Sequence, residues 1–218
     1  MAASFQVRIE DIIGATSSLG SDSGTDNEQA IQDALQDTAS DILNKVRPDI
    51  LIQYATKSSN VTSNPLASNV ENSRILLVER REDDGAFSLY VSCVFAEASL
   101  QGKLQNSNSI YFATGESPRW TFNDNDIYVY PELAAGNPAR YYSMNNPTIE
   151  HDATTVTAFP DELEHALVLG ASAILKQRTI TFYNEDEDAE IVALHRAQWA
   201  ELEQKYKDAL APYLATSE

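Results

Sequence analysis

The residues nearest to a catalytic or metal-binding arrangement are Glu162-Leu163-Glu164-His165. A Glu-x-x-His step puts a carboxylate and an imidazole on one helical face, the arrangement used in di-iron bundles. That chemistry needs two such motifs and two more inward carboxylates, whereas Glu190 and His195 stand five apart and point to different faces. His165 therefore reads as an exposed or partly buried histidine near a helix start. His151 lies between Glu150 and Asp152, groups that could hold a metal or exchange protons. Adjacent residues seldom converge on one ion, so solvated loop charge is the expectation. The acidic run Asp186 to Asp188 lacks the spacing of a calcium loop and reads as a charged helix entrance. No nucleophile elbow, phosphate-cradling glycine loop or cysteine nucleophile context is present, and eight glycines are few for nucleotide chemistry. Neither cofactor nor metal is expected, and the chain reads as non-enzymatic.

Composition narrows the function further. Thirty-three acids against 15 bases give a net charge of −18, which disfavours tight nucleic-acid binding because that affinity comes mainly from cations neutralising phosphates. A like-charged wall does, however, let DNA slide past. Cys93 is the single cysteine, so no disulfide framework is possible. Met1 to Ile13 carries Arg8, Glu10 and Asp11 and lacks the apolar run of a signal peptide, and no span reads as a membrane helix. The sequon Asn60-Val61-Thr62 is expected to be unused. Tyr128, Tyr130, Tyr141 and Tyr142 could form an interaction surface or a sugar-stacking platform, with ordinary sheet packing the simpler reading.

The elements positioning these residues follow from periodicity. After a Ser/Gly/Asp loop at Gly20 to Gly24, Thr25 and Glu28 form a capping box, and a helix is predicted over 26–46. Ala30, Ile31, Ala34, Leu35, Thr38, Ile42 and Val46 form its stripe, and Pro48 ends it. Ser58 to Ser73 reads as a linker or ordered loop. Arg74–Arg81 and Ala86–Ala96 around Asp83-Asp84-Gly85 predict a hairpin, with Phe87, Leu89, Val91, Cys93 and Phe95 on one apolar face and Cys93 a buried thiol. Short strands are predicted at 109–113, 120–123 and 127–130, and 131–155 reads as irregular.

Phe159-Pro160-Asp161-Glu162 opens a second helix whose apolar face is Leu163, Ala166, Leu167, Gly170, Ala171, Ile174 and Leu175, with Lys176 and Arg178 in its last turn. Its Gly170-Ala171-Ser172-Ala173 run admits a close neighbour. A last helix carries Val192, His195, Trp199, Leu202, Tyr206, Ala209 and Tyr213 at alternating three-and-four spacing. The expected fold is α+β: a helical bundle of three main helices, the last one long, with an inserted small antiparallel β region. Its parts are an N-terminal arm and first helix over 1–60, a β-rich insertion over 61–155 and a C-terminal helical hairpin over 156–218. Phe5, Val7, Ile9, Ile12 and Ile13 would be wasted in water, so Phe5, Ile9, Ile12 and Ile13 are predicted to lie at a subunit interface.

A capped first helix, a β insertion containing Ile127-Tyr128-Val129-Tyr130-Pro131, the Phe159-Pro160-Asp161-Glu162 entrance to a small-residue helix, and a long last helix with Trp199 and Tyr206 together resemble the adaptor proteins of tailed-phage head-to-tail connectors. The resemblance covers roughly 25–60 and 120–214 and rests on the order and character of these elements. It implies a virion protein made in the host cytoplasm that forms a homo-oligomeric ring, commonly of twelve copies, between the portal protein and a downstream tail or neck protein. Genomic DNA would pass through its channel without specific binding. Pro212, Tyr213 and Leu214 would map to the portal contact. The alternatives are another neck or tail component, such as a stopper, tail-completion or minor tail protein, and then a small enzyme or carbohydrate-binding module.

Overall fold

A computed structural model of the chain describes residues 3–14, 24–70, 73–83, 88–183 and 189–214. In chain order these form α1 (Phe5–Ile13), α2 (Gly24–Lys45), α3 (Pro48–Leu51), β1 (Thr56–Lys57), β2 (Ser73–Asp83), β3 (Ser88–Ser92), β4 (Val94–Phe95), α4 (Gln101–Leu104), β5 (Arg119–Asn123), β6 (Asp126–Tyr130), β7 (Ala139–Asn145), α5 (Glu164–Tyr183) and α6 (Ala189–Leu210). The chain divides into a helical unit, Met1–Ile50 with Asn146–Glu218, and a β unit, Leu51–Asn145. The expected three-helix bundle with a small antiparallel insertion is therefore corrected. Among the described residues there are six helices and seven strands in two sheets, and the β part is a unit of its own. Nor is α6 distinctively long, since α2 also has 22 residues.

In the helical unit, α5 packs against α1, α2 and α6. Its residues 166–173 are buried without interruption, and Leu175, Lys176 and Thr179 are buried beyond them. A helix buried on every face over 166–173 shows no amphipathic stripe there, which explains why an apolar face drawn on one side understated its burial. It runs on to Tyr183, so Lys176 and Arg178 do not occupy its last turn. The stripe of α2 agrees closely with expectation: Ile31, Ala34, Leu35, Ile42 and Val46 are fully buried and Thr38 is 2 % exposed. At Gly170 the predicted close approach is present. A methyl group added there would come 2.5 Å from Thr38 Cγ2 of α2 and 3.0 Å from the Tyr206 ring of α6.

The β unit holds a four-stranded antiparallel sheet in the order β1-β7-β2-β3 and a three-stranded sheet in the order β4-β5-β6. β2 and β3 form the predicted hairpin; its turn and Phe87 lie outside the described residues. At Cys93 the chain leaves the first sheet, where the Cys93 amide donates to Val78 O, and β4 joins the second sheet parallel to β5. That switch breaks the expected apolar face: Cys93 is buried, but Leu89 and Phe95 are 64 % and 55 % exposed. β5 and β6 are joined by Asp124 and Asn125, at φ +50° and +64°, a left-handed pair that these residues tolerate and a tight hairpin demands.

The segment predicted as a strand at 109–113 is a turn in which Ile110 is 91 % exposed, and the region predicted as irregular contains β7. The Ser/Asn/Thr-rich stretch after β1 is an ordered loop that borders both sheets. Ser58 and Val61 amides donate to Tyr141 O and Ala139 O of β7; the Leu66 amide donates to Ile127 O of β6. The Asn64 side chain donates to Val129 O at 2.8 Å and accepts from its amide at 3.0 Å, imitating a strand partner. Polar residues without periodicity can therefore cover sheet edges, because those edges need hydrogen bonds more than burial.

Candidate functional site

The N-terminal residues are held within the chain itself. Ser4 Oγ accepts from the Val7 amide at the start of α1, and the Phe5 and Gln6 amides donate to Ala153 O and His151 O. Phe5 and Ile9 are 0 % exposed, so their assignment to a subunit interface is corrected: the apolar side chains do need cover, but α5 supplies it. Ile12 remains 39 % exposed and Ile13 half-buried. Arg8 pairs with Glu164 at 3.4 Å, and the other oxygen of Glu164 accepts from the Val156 amide.

The histidine motifs separate in space. His151 meets the Gln6 side chain at 3.0 Å through Nδ1 and Glu28 at 3.8 Å through Nε2, a tie between α1, α2 and the 146–160 loop. His165 is exposed, and its neighbour Glu164 faces Arg8. Among the described residues no group of three His, Cys, Asp or Glu side chains is placed to hold a metal. The side chain of Thr25 and the acidic run 185–188 lie outside the described residues.

Of the tyrosine set, Tyr130 is buried and its hydroxyl accepts from Gln101 at 2.6 Å. Tyr142 faces the Arg140 guanidinium, which stacks 3.5 Å from the Tyr90 ring and pairs with Glu79 at 2.6 Å. Arg140 thus covers Tyr90 and Tyr142, while Tyr128 and Tyr141 are half-buried against hydrophobic clusters of the β unit, which is ordinary sheet packing. The exposed apolar groups are elsewhere in the β unit: Phe95 meets Trp120 edge-to-face at 4.9 Å, Phe122 follows two residues along β5, and Ile110, Tyr111 and Phe112 form a loop tip.

In the helical unit a cleft of about 390 Å³ opens between α2, α5 and α6, with Trp199, Ile174 and Leu210 among its lining. At its edge the Tyr206 hydroxyl donates to Asp41 Oδ2 at 2.7 Å, and Lys45 pairs with the same oxygen at 2.6 Å. Burial and then the Asp41 charge push the Tyr206 phenol well above its usual range, so it stays protonated and serves as a donor. The trio ties α2 to α6 and presents no activated nucleophile. Asp41 and Lys45, four apart, were the only sequence signal for it. Beyond Tyr206, Leu214 bridges antiparallel to Val46 and Tyr213 O accepts from the Arg47 amide, while Pro212 is exposed. No helix among the described residues is long and apolar enough to cross a membrane. No protein-family model and no curated protein matches this chain.

Proposed function

We propose that this chain is a non-catalytic, ring-forming adaptor of a tailed-phage head-to-tail connector, seated between the portal protein and a downstream tail or neck protein. The observation that carries the reading is how surface character divides between the two units. The helical unit holds 23 acids and 8 bases, a net of −15; the β unit holds 10 and 7, a net of −3. Among the described residues, seven of the eleven exposed large hydrophobics belong to the β unit: Leu89, Val94, Phe95, Ile110, Tyr111, Phe112 and Phe122.

A strongly acidic unit repels the DNA that a connector must pass. Exposed apolar groups on a nearly neutral unit need a protein partner to cover them. In this reading the β unit meets the tail-side component, and Pro212, Tyr213 and Leu214 reach the portal. The test is mass photometry and negative-stain microscopy of the purified chain alone and with the portal protein. Rings of about twelve copies, or capture by assembled portal, are expected. A monomer indifferent to portal, or turnover of a substrate, would overturn the reading.

A further inference from the structure

The cleft between α2, α5 and α6 has apolar surface still to cover. α5 supplies its floor with Ala173 and Ile174, α6 one wall with Trp199 and Leu210, and Leu214 adds to the lining. Ile174 and Trp199 are only half-buried. A volume of about 390 Å³ is that of a site that takes a small ligand or a few side chains. The four charges in the lining answer one another: Lys45 pairs with Asp41 at 2.6 Å, and Lys207 with Glu203 at 2.8 Å. The interior is therefore apolar and neutral, and apolar groups are what it can hold.

The walls decide the charge of the occupant. α2 carries five acids and one base, and α6 four acids and three bases. Asp37 is exposed, stands one turn before Asp41 on the α2 wall, and among the described residues has no ion pair. Around them the unit's net charge of −15 holds a negative potential. An apolar groove with an acidic shoulder suits an amphipathic helix whose apolar residues, three or four apart, are flanked by Lys or Arg. A second copy does not offer one. α1, α2 and α6 each have more acids than bases, and α5, with Glu164 against Lys176 and Arg178, is buried without interruption over 166–173.

We infer that this groove receives a basic amphipathic helix of a partner protein, with its apolar side chains on Ile174, Trp199 and Leu210 and a cation at Asp37. The groove is continuous with the segment assigned to the portal, because Leu214 belongs to both. The inference deepens the adaptor reading and rests on it only for naming the portal as the source of the helix.

The probes are two labelled helical peptides of about 18 residues, or about 27 Å, one of Leu and Lys and the other of Leu and Glu in the same pattern. Fluorescence anisotropy with the full chain, in about 0.15 M salt where the Debye length is about 8 Å, reads their binding. The Leu/Lys peptide should bind at least about tenfold more tightly. Ile174→Ser should weaken that binding about tenfold, and its urea midpoint separates a lost contact from a lost fold. Asp37→Lys alters an exposed residue and should weaken binding about fivefold with the fold intact. Asp208→Lys makes the same change in net charge beside a different cavity, with Leu169 and Leu202, and should leave binding within about twofold. Equal losses from Asp37→Lys and Asp208→Lys, equal or absent binding of the two peptides, or self-association that Ile174→Ser abolishes would each overturn the inference. Portal capture is read separately. Groove binding without capture keeps the site and overturns the adaptor assignment; capture that Ile174→Ser and Asp37→Lys leave intact keeps the assignment and overturns the groove as its portal contact.

Discussion

Gly170→Ala sets two physical effects against each other with opposite signs. In an open helix interior the change is favourable by about 1 kcal/mol, because alanine has the better propensity. In this fold the new methyl would lie 2.5 Å from Thr38 Cγ2 and 3.0 Å from Tyr206 Cε2, where carbon contacts of about 3.5–4.0 Å are comfortable. Neither neighbour yields easily. Thr38 is 2 % exposed and its hydroxyl donates to Ala34 O at 2.7 Å; Tyr206 is 9 % exposed and held by Asp41. α2 or α6 must therefore move, and such overpacking costs about 1–3 kcal/mol. The clash wins, and a net loss of roughly 1–2 kcal/mol is expected in urea denaturation followed by helical circular dichroism. Thr38→Ser deletes the offending methyl and keeps the hydroxyl, so in that background Gly170→Ala should recover at least about 1 kcal/mol relative to additivity. A Gly170→Ala protein more stable than wild type, or a cycle with no coupling, would refute the packing argument.

Three further outcomes follow from the same packing. Ile9→Ala, at a fully buried position, should cost about 2–5 kcal/mol in denaturant, whereas Ile12→Ser should stay within about 0.5 kcal/mol; equal effects would return the arm to a neighbour's surface. Tyr206→Phe should lose about 1 kcal/mol with the hydrogen bond to Asp41, and tyrosine absorbance near 295 nm should show one fewer phenol held back from ionising until unfolding. Burial pushes the Cys93 thiol up from near 9 to about 12. The folded pKa is the higher one, so this stabilisation is complete below pH 9 and is lost between pH 9 and 12, by a few kcal/mol at most; native protein should resist a thiol reagent at pH 8 that labels urea-unfolded protein at once.

What was legible in the sequence follows how strongly each element depends on its own pattern. α2 and α6 each keep one face in water, so their stripes appear in the residue order, and Asp124-Asn125 announces its hairpin because few residues accept that backbone. α5 shows only that it is apolar, since a helix surrounded by three others has no periodicity to display. β7 was missed because Ala139 to Asn145 alternates weakly and draws its pairing from β2, some sixty residues earlier. Phe5 and Ile9 were read correctly as needing cover and wrongly as needing a neighbour, because a sequence cannot tell which surface will be nearest. Lys176 and Arg178 were read as the last turn of α5, and the error was to end the helix there, since it runs on to Tyr183.

The division of charge bears on how copies of this chain could meet. A net of −15 on the helical unit sets up a negative potential around it. The same potential makes two copies repel at a distance. Association between such surfaces must come from a short-range contact strong enough to overcome the screened repulsion. Long-range repulsion would then suppress casual aggregation and leave a close-fitting contact as the productive encounter, which is what the proposed ring assembly requires.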